Sequence, residues 1–268
     1  MASRPRTLSI ACGAAVHPLL HRSAAPDQAR VPLANIEHAL IAFAHVPKTA
    51  GTTLTAVLRR NFRLRHFDTR GVVGKGLMFA DQLRGVQRLY PKLASLAGHG
   101  VSPAGDLHKA CREIRYYTFV RDPLRRCLSH YHFALACMAK RKRSPTDPIA
   151  YFEQWIQDHR NWHARQLAGT ENAERAIEII EQQVSFVGLV EQFDESLVMF
   201  RAWTGLSSLD IRYNTLNSSA QRKSRPQIGL DQQILDDAQL ARIAAEANAE
   251  DEKIYRWVVE QRYPQQRR

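Results

Sequence analysis

Residues 41–62 read IAFAHVPKTAGTTLTAVLRRNF. The run Ile41 to Val46 is apolar, short and continuous, the pattern of a fully buried strand, and Pro47 ends it. Thr49, Ala50, Gly51, Thr52 and Thr53 follow Lys48, so one cation opens a run of small residues. Leu54, Val57 and Leu58 then keep helical spacing, with Thr52 or Thr53 placed to cap the helix. Strand, tight loop and helix N-terminus together make an anion site. Backbone N–H groups and the helix dipole converge there, and small side chains let a phosphate come close. Lys48 adds a full positive charge. The pattern is not the common nucleotide loop GxxxxGK[ST], because its lysine precedes its glycine. On the loop alone, an ordinary βα turn with a solvated lysine is the other reading.

A second unit, REIRYYTFVRDPLRRCLSHYHFALACMAK at 112–140, repeats the plan. Tyr116 to Val120 reads as a buried strand, Asp122 as an N-cap and Pro123 as the first helical residue. The helix is expected from Leu124 to about Met138, and Arg121 then stands at the C-terminal end of a strand. If the two strands are parallel, Arg121 shares a layer with the Lys48 loop. Arg125 and Ser129 are four apart and share a helix face. A guanidinium and a hydroxyl beside the first loop suit a second phosphate; a capped helix with a structural Arg121–Asp122 turn is the plainer alternative.

Between the units, RLRHFDT (63–69) reads as a short strand, GVVGKG (71–76) as a turn and 79–90 as a helix with Leu83, Val86 and Tyr90 near one face. LASLAGHG (93–100) reads as a strand that ends in Gly98, His99 and Gly100. That exposes the imidazole at the edge where α/β sheets hold ligands. Beyond them, Tyr151 to His159 and 171–183 read as helices, Ser185 to Val190 as a central strand and Glu195 to Trp203 as a helix. Residues 231–260 form a long helical pattern with Ile234, Leu235, Leu240, Ile243, Ile254 and Trp257 as packing positions.

Composition bounds the function. With 268 residues, 44% hydrophobic and 24% charged, the chain suits one globular α/β domain. Its net charge of +12 is unevenly placed: residues 1–150 carry 24 Lys and Arg against 8 Asp and Glu, while the remainder is slightly acidic. The basic half holds the phosphate loop, which favours a polyanionic ligand or acidic substrate. No helix-turn-helix, zinc or RNP signature accompanies the charge, so nucleic acid is not the expected partner. Cys12, Cys111, Cys127 and Cys137 lack metal-like spacing and read as reduced thiols, with a cytoplasmic location expected. No run is long and apolar enough for a membrane span. LSIACGAAVHPLL (8–20) imitates a signal peptide weakly, interrupted by His17 and Pro18. Residues 1–38 are expected to be a loosely ordered extension and 39–268 the catalytic domain.

PKTAGTTL followed by FVRDPLRRCLSHY resembles the PAPS-dependent sulfotransferases, nearest the uronyl 2-O and chondroitin 4-O carbohydrate branch. NWHARQLAG (161–169) is similar to a motif NxQxRxLxG, with His163 in place of glutamine. VGLVEQFDESL (187–197) resembles VGxxExFxxSL, and RYNTLNSS (212–219) a late RxNxxxS segment that approaches the nucleotide. The resemblance covers about 40–260. It implies a P-loop nucleoside-kinase-like α/β fold of three layers with a central parallel sheet. It also implies that Lys48 to Thr53 hold the 5′-phosphosulfate of 3′-phosphoadenosine 5′-phosphosulfate (PAPS), and that Arg121 and Ser129 hold the 3′-phosphate.

Sulfuryl transfer is an in-line displacement akin to phosphoryl transfer, so positioning and charge stabilisation dominate. Lys48 is placed to neutralise or protonate the leaving oxygen, and no metal is expected. The acceptor hydroxyl needs a base near neutral pKa. His99 is the candidate, by its glycine-flanked position and its likeness to a GH motif whose histidine is the base in the glycan branch; His45 and His132 are reserves. Lys140 to Arg143, four consecutive cations, flank the cleft and suit an acidic acceptor, either a uronic-acid glycan or an acidic tyrosine-containing peptide. Arg222, Lys223 and Arg225 are further candidates to reach the nucleotide. The competing readings are an ATP-dependent phosphotransferase, which would want GK[ST] and an acidic metal-binding partner, and a non-enzymatic polyanion-binding protein.

Overall fold

The structure is a computed structural model that describes residues 39–74, 76–213 and 225–267. The 1–38 extension, Cys12, Lys223, Arg222 and most of 212–219 lie outside the described residues, and Arg225 is described only in its backbone.

Five strands form one all-parallel sheet in the order β2-β3-β1-β4-β5. They are β1 (Leu40–Ala44), β2 (His66–Asp68), β3 (Ser95–Gly98), β4 (Ile114–Val120) and β5 (Val184–Leu189). Alternation along β1 sends its residues to two cores. Ile41 and Phe43 meet Leu54 and Leu58 of α1 (Gly51–Phe62) and Leu197 and Phe200 of α8 (Phe193–Thr204) on one face. Leu40, Ala42 and Ala44 face the other side. There they join Leu83 and Val86 of α3 (Ala80–Leu89), Leu167 of α6 (Trp162–Ala168), Ile179 of α7 (Ala173–Gln183) and Ile254 of α11 (Ala249–Trp257). This is the expected three-layer α/β domain.

A satellite core lies against α4 (Pro123–Lys140). Cys127, Leu128 and Tyr131 pack with Phe152 and Ile156 of α5 (Pro148–Gln157), Ile234 of α9 (Arg225–Asp236) and Leu240 of α10 (Ala238–Ala247). Each fully buried Leu, Ile or Phe contributes roughly 1.5–3 kcal/mol.

Several local expectations change. β1 stops at Ala44 rather than Val46, leaving His45 and Val46 in the turn. Neither Thr52 nor Thr53 caps α1: the helix begins at Gly51, and Ala50 occupies the cap position without a side-chain bond. The 71–76 turn is in part a short helix, α2 (Arg70–Val73). Among the described residues β5 is an edge strand of this sheet, not a central one. The 231–260 pattern breaks into separate helices because Asp237 and Asn248 start new ones. Asp237 accepts the Gln239 and Leu240 N–H groups, which ends one helix and caps the next.

Candidate active site

β1 is where the chain turns outward in both directions, with β3 on one side and β4 on the other. Ligands of open α/β sheets bind outside the carboxyl ends of strands at such a point. The β1 loop there has an unusual backbone: Lys48 has φ 72° and Ala50 φ 59°, both left-handed. Alternation of this kind turns successive N–H groups toward one concavity. The Thr49 hydroxyl donates to Val46 C=O at 2.9 Å and is fully buried, so it braces the loop while its backbone faces outward. Leu54 N–H closes the first helical turn on Ala50 C=O at 3.1 Å. The N–H groups of Gly51, Thr52 and Thr53 precede that bond, in the part of a helix that lacks intrahelical acceptors. Missing side-chain caps are what an anion site requires.

Gly51 is fixed by close approach. A Cβ there would lie 1.7 Å from His45 Nε2. The His45 ring fills that space, stacked on Phe43 (centroids 5.0 Å) and on His99 (4.2 Å). Burial, then the charges of His99 and Lys48, hold His45 well below the ordinary imidazole value. It serves as a wall under the loop. His132, the other reserve, is buried with Nε2 2.6 Å from Asp231 Oδ1, a packing role on α4.

His99 is exposed, just past β3, at the strand end paired with β1 through Ala44 and Gly98. Its Nδ1 lies 2.7 Å from the His45 carbonyl oxygen. A carbonyl only accepts, so Nδ1 carries the proton and Nε2 of the neutral ring keeps its lone pair. Gln166 of α6 holds this loop, donating from Nε2 to His99 C=O (3.0 Å) and Val101 C=O (2.8 Å).

β4 delivers Arg121 to the same edge. Its Nη1 donates to Lys48 C=O at 3.2 Å, which joins the two loops directly. Asp122 caps α4 by accepting Arg125 N–H at 2.8 Å, and Pro123 takes the first helical position as expected. Asp122 N–H donates to Glu191 Oε1 at 3.1 Å. Arg125, Ser129 and Phe133 fall on one face of α4, and the Phe133 ring lies 4.7 Å from Lys48 Nζ. The face that carries half-buried Ser129 is therefore the one turned to the Lys48 loop. Burial, then the Arg121 guanidinium, lowers the Lys48 ammonium from its ordinary value, which makes it a readier proton donor.

Residues 35–260 match the model of the Sulfotransferase family. The chain belongs to the sulfotransferase family. No curated protein matches it. The family supports sulfuryl transfer and a sulfate donor, and the described residues contain no group of three or more His, Cys, Asp or Glu side chains that could hold a metal ion. No described helix is long and apolar enough to cross a membrane.

Three residues of this candidate site have roles that the sequence patterns do not single out. Glu191 carried a signal, since it lies inside VGLVEQFDESL. Gln166 is adjacent to motif positions of NWHARQLAG without being one. Asp251 had none: within AEDEK it reads as a solvated helix charge, yet it is fully buried and holds His163.

Proposed function

We propose that the protein transfers a sulfuryl group from PAPS to a hydroxyl of an acidic acceptor, a glycan or a tyrosine-containing peptide, by in-line displacement. The observation that carries this reading is the bond from Arg121 Nη1 to Lys48 C=O. It brings two cationic strand-end loops, each opening a helix, to one edge of the sheet. One phosphate site would suit many nucleotides; two, on adjacent strands, suit a donor with phosphates at both ends of its ribose.

In this reading the N–H groups of Thr49 to Thr53 hold the non-bridging oxygens of the 5′-phosphosulfate. Lys48 neutralises and protonates the departing phosphate oxygen, a task helped by its lowered pKa. Arg121 and Ser129 hold the 3′-phosphate. His99 Nε2 accepts the acceptor's proton as its oxygen bonds to sulfur, with the ring oriented by His45 C=O. Lys140, Arg141, Lys142 and Arg143, exposed at the end of α4, attract the acidic acceptor. In this scheme 39–268 is the sulfotransferase domain and 1–38 an extension outside it.

The test is transfer of radiolabelled sulfuryl from PAPS to chondroitin, dermatan, desulfated heparan and an acidic tyrosine peptide. Label should enter at least one acceptor and fall about 10²-fold or more with His99→Ala. Label incorporated equally by His99→Ala would remove His99 as base. Transfer of phosphate from ATP instead would overturn the assignment of the donor.

A further inference from the structure

One carboxylate accepts two backbone N–H groups at the start of α6. Asp251, on α11, accepts the backbone N–H of His163 through Oδ2 and that of Ala164 through Oδ1, both at 3.0 Å. Its Oδ2 also lies 2.9 Å from His163 Nδ1. The other ring nitrogen, Nε2, is 3.3 Å from the backbone nitrogen of Arg121. A peptide N–H only donates and a carboxylate only accepts, so the tautomer is fixed at both ends. Nδ1 carries the proton and Nε2 accepts from Arg121.

We propose that Asp251 and His163 are a positioning pair that fixes the main chain of Arg121, so that its guanidinium meets the 3′-phosphate of the donor. This rests on the reading of Arg121 given above. The His163 and Asp251 side chains are 1% and 0% exposed, and Arg126, fully buried, places its Nε 3.8 Å from Asp251 Oδ2. Packing alone does not call for this arrangement. The His163 and Ala164 N–H groups and Arg126 call for the Asp251 carboxylate, but an apolar side chain of similar volume in place of His163 would fill the same space between α6 and α11. What the polar pair adds is an acceptor of fixed direction, and that direction ends on Arg121. Burial opposes the Asp251 charge, but His163, Arg126 and the backbone N–H bonds hold its carboxyl below the ordinary value. Asp251 thus remains an ionised acceptor near neutral pH.

The test measures binding of adenosine 3′,5′-bisphosphate and of adenosine 5′-monophosphate, which lacks the 3′-phosphate, to the full chain. His163→Leu removes the acceptor and should weaken the bisphosphate about tenfold, the worth of one hydrogen bond, with the monophosphate unchanged within twofold. His163→Gln should restore the loss, because a carboxamide can accept from Arg121 and donate to Asp251. With PAPS as variable substrate, His163→Leu should raise KM more than it lowers kcat. Thermal melts report folding; if His163→Leu does not fold, His163→Asn, too short to reach both partners, is read in its place. Equal loss of both nucleotides, no loss of either, or no rescue by glutamine would overturn the pair's role. Failure of the wild type to bind the bisphosphate would instead overturn the reading of Arg121.

Discussion

Lys48 holds its charge on a left-handed backbone, and Ala50 two residues later is left-handed as well. Each such residue costs on the order of 1–3 kcal/mol, and such outliers persist where surrounding structure imposes them. Here the imposing contacts are the Thr49 bond to Val46 C=O and the His45 ring under Gly51. Gly51 is therefore the most sensitive position of the loop. Gly51→Ala should expel the His45 ring from its stack on Phe43 and His99, since a 1.7 Å approach cannot be absorbed. We expect donor affinity to fall at least tenfold and the melting temperature to drop; unchanged affinity in a folded Gly51→Ala protein would show that the loop does not hold the donor.

At the scale of elements, two helices organise the site in different ways. α4 supplies groups: it begins at Pro123, directly after Arg121 and Asp122, and it turns Ser129 and Phe133 toward Lys48. α6 supplies none directly, but its Gln166 steadies the His99 loop and its His163 steadies Arg121. Where these helices meet, His130 of α4 packs edge-on against Trp155 (5.3 Å) and Trp162 (5.7 Å). Burial, then the Arg126 and His159 charges, pushes the His130 pKa down to about 3. Burial likewise takes His66 of β2 to about 4. An unfolded histidine titrates near 6.5, so above that pH neither state gains a proton and stability is independent of these groups. Below it the unfolded chain binds protons that the fold refuses, and stability falls until pH nears 3–4. Urea midpoints should drop from pH 7 to pH 5, and His130→Phe should lessen the drop. An equal drop in the variant would mean that this ring is not held neutral by the fold.

For the whole molecule, the sequence exposed what local chemistry encodes. Periodicity and small-residue turns located β1, β3, β4 and the α4 cap, because each rests on a pattern within about 20 residues. The register that sets Ala44 beside Gly98, and so His45 beside His99, is long-range and has no local signature. The cap of α1 differs from the sequence expectation for a related reason. Two threonines promised a side-chain cap, but the bond from Thr49 to Val46 C=O and the left-handed Ala50 start the helix earlier. Asp251 was invisible because its burial depends on α6 and α7 covering a stretch that reads as solvated. The basic surplus of residues 1–150 was readable at once, and it belongs to the half that carries both the Lys48 and the Arg121 loops.

In the proposed reading the Lys48 and Arg121 loops form one site for a doubly phosphorylated adenosine. Titration calorimetry of adenosine 3′,5′-bisphosphate against wild type, Lys48→Ala and Arg121→Ala, with ATP as comparison, tests it most directly. Wild type should bind tightly and one-to-one, each variant about tenfold or more weakly, and ATP should give little heat. Binding of magnesium–ATP in preference, or binding of the bisphosphate indifferent to both substitutions, would contradict it.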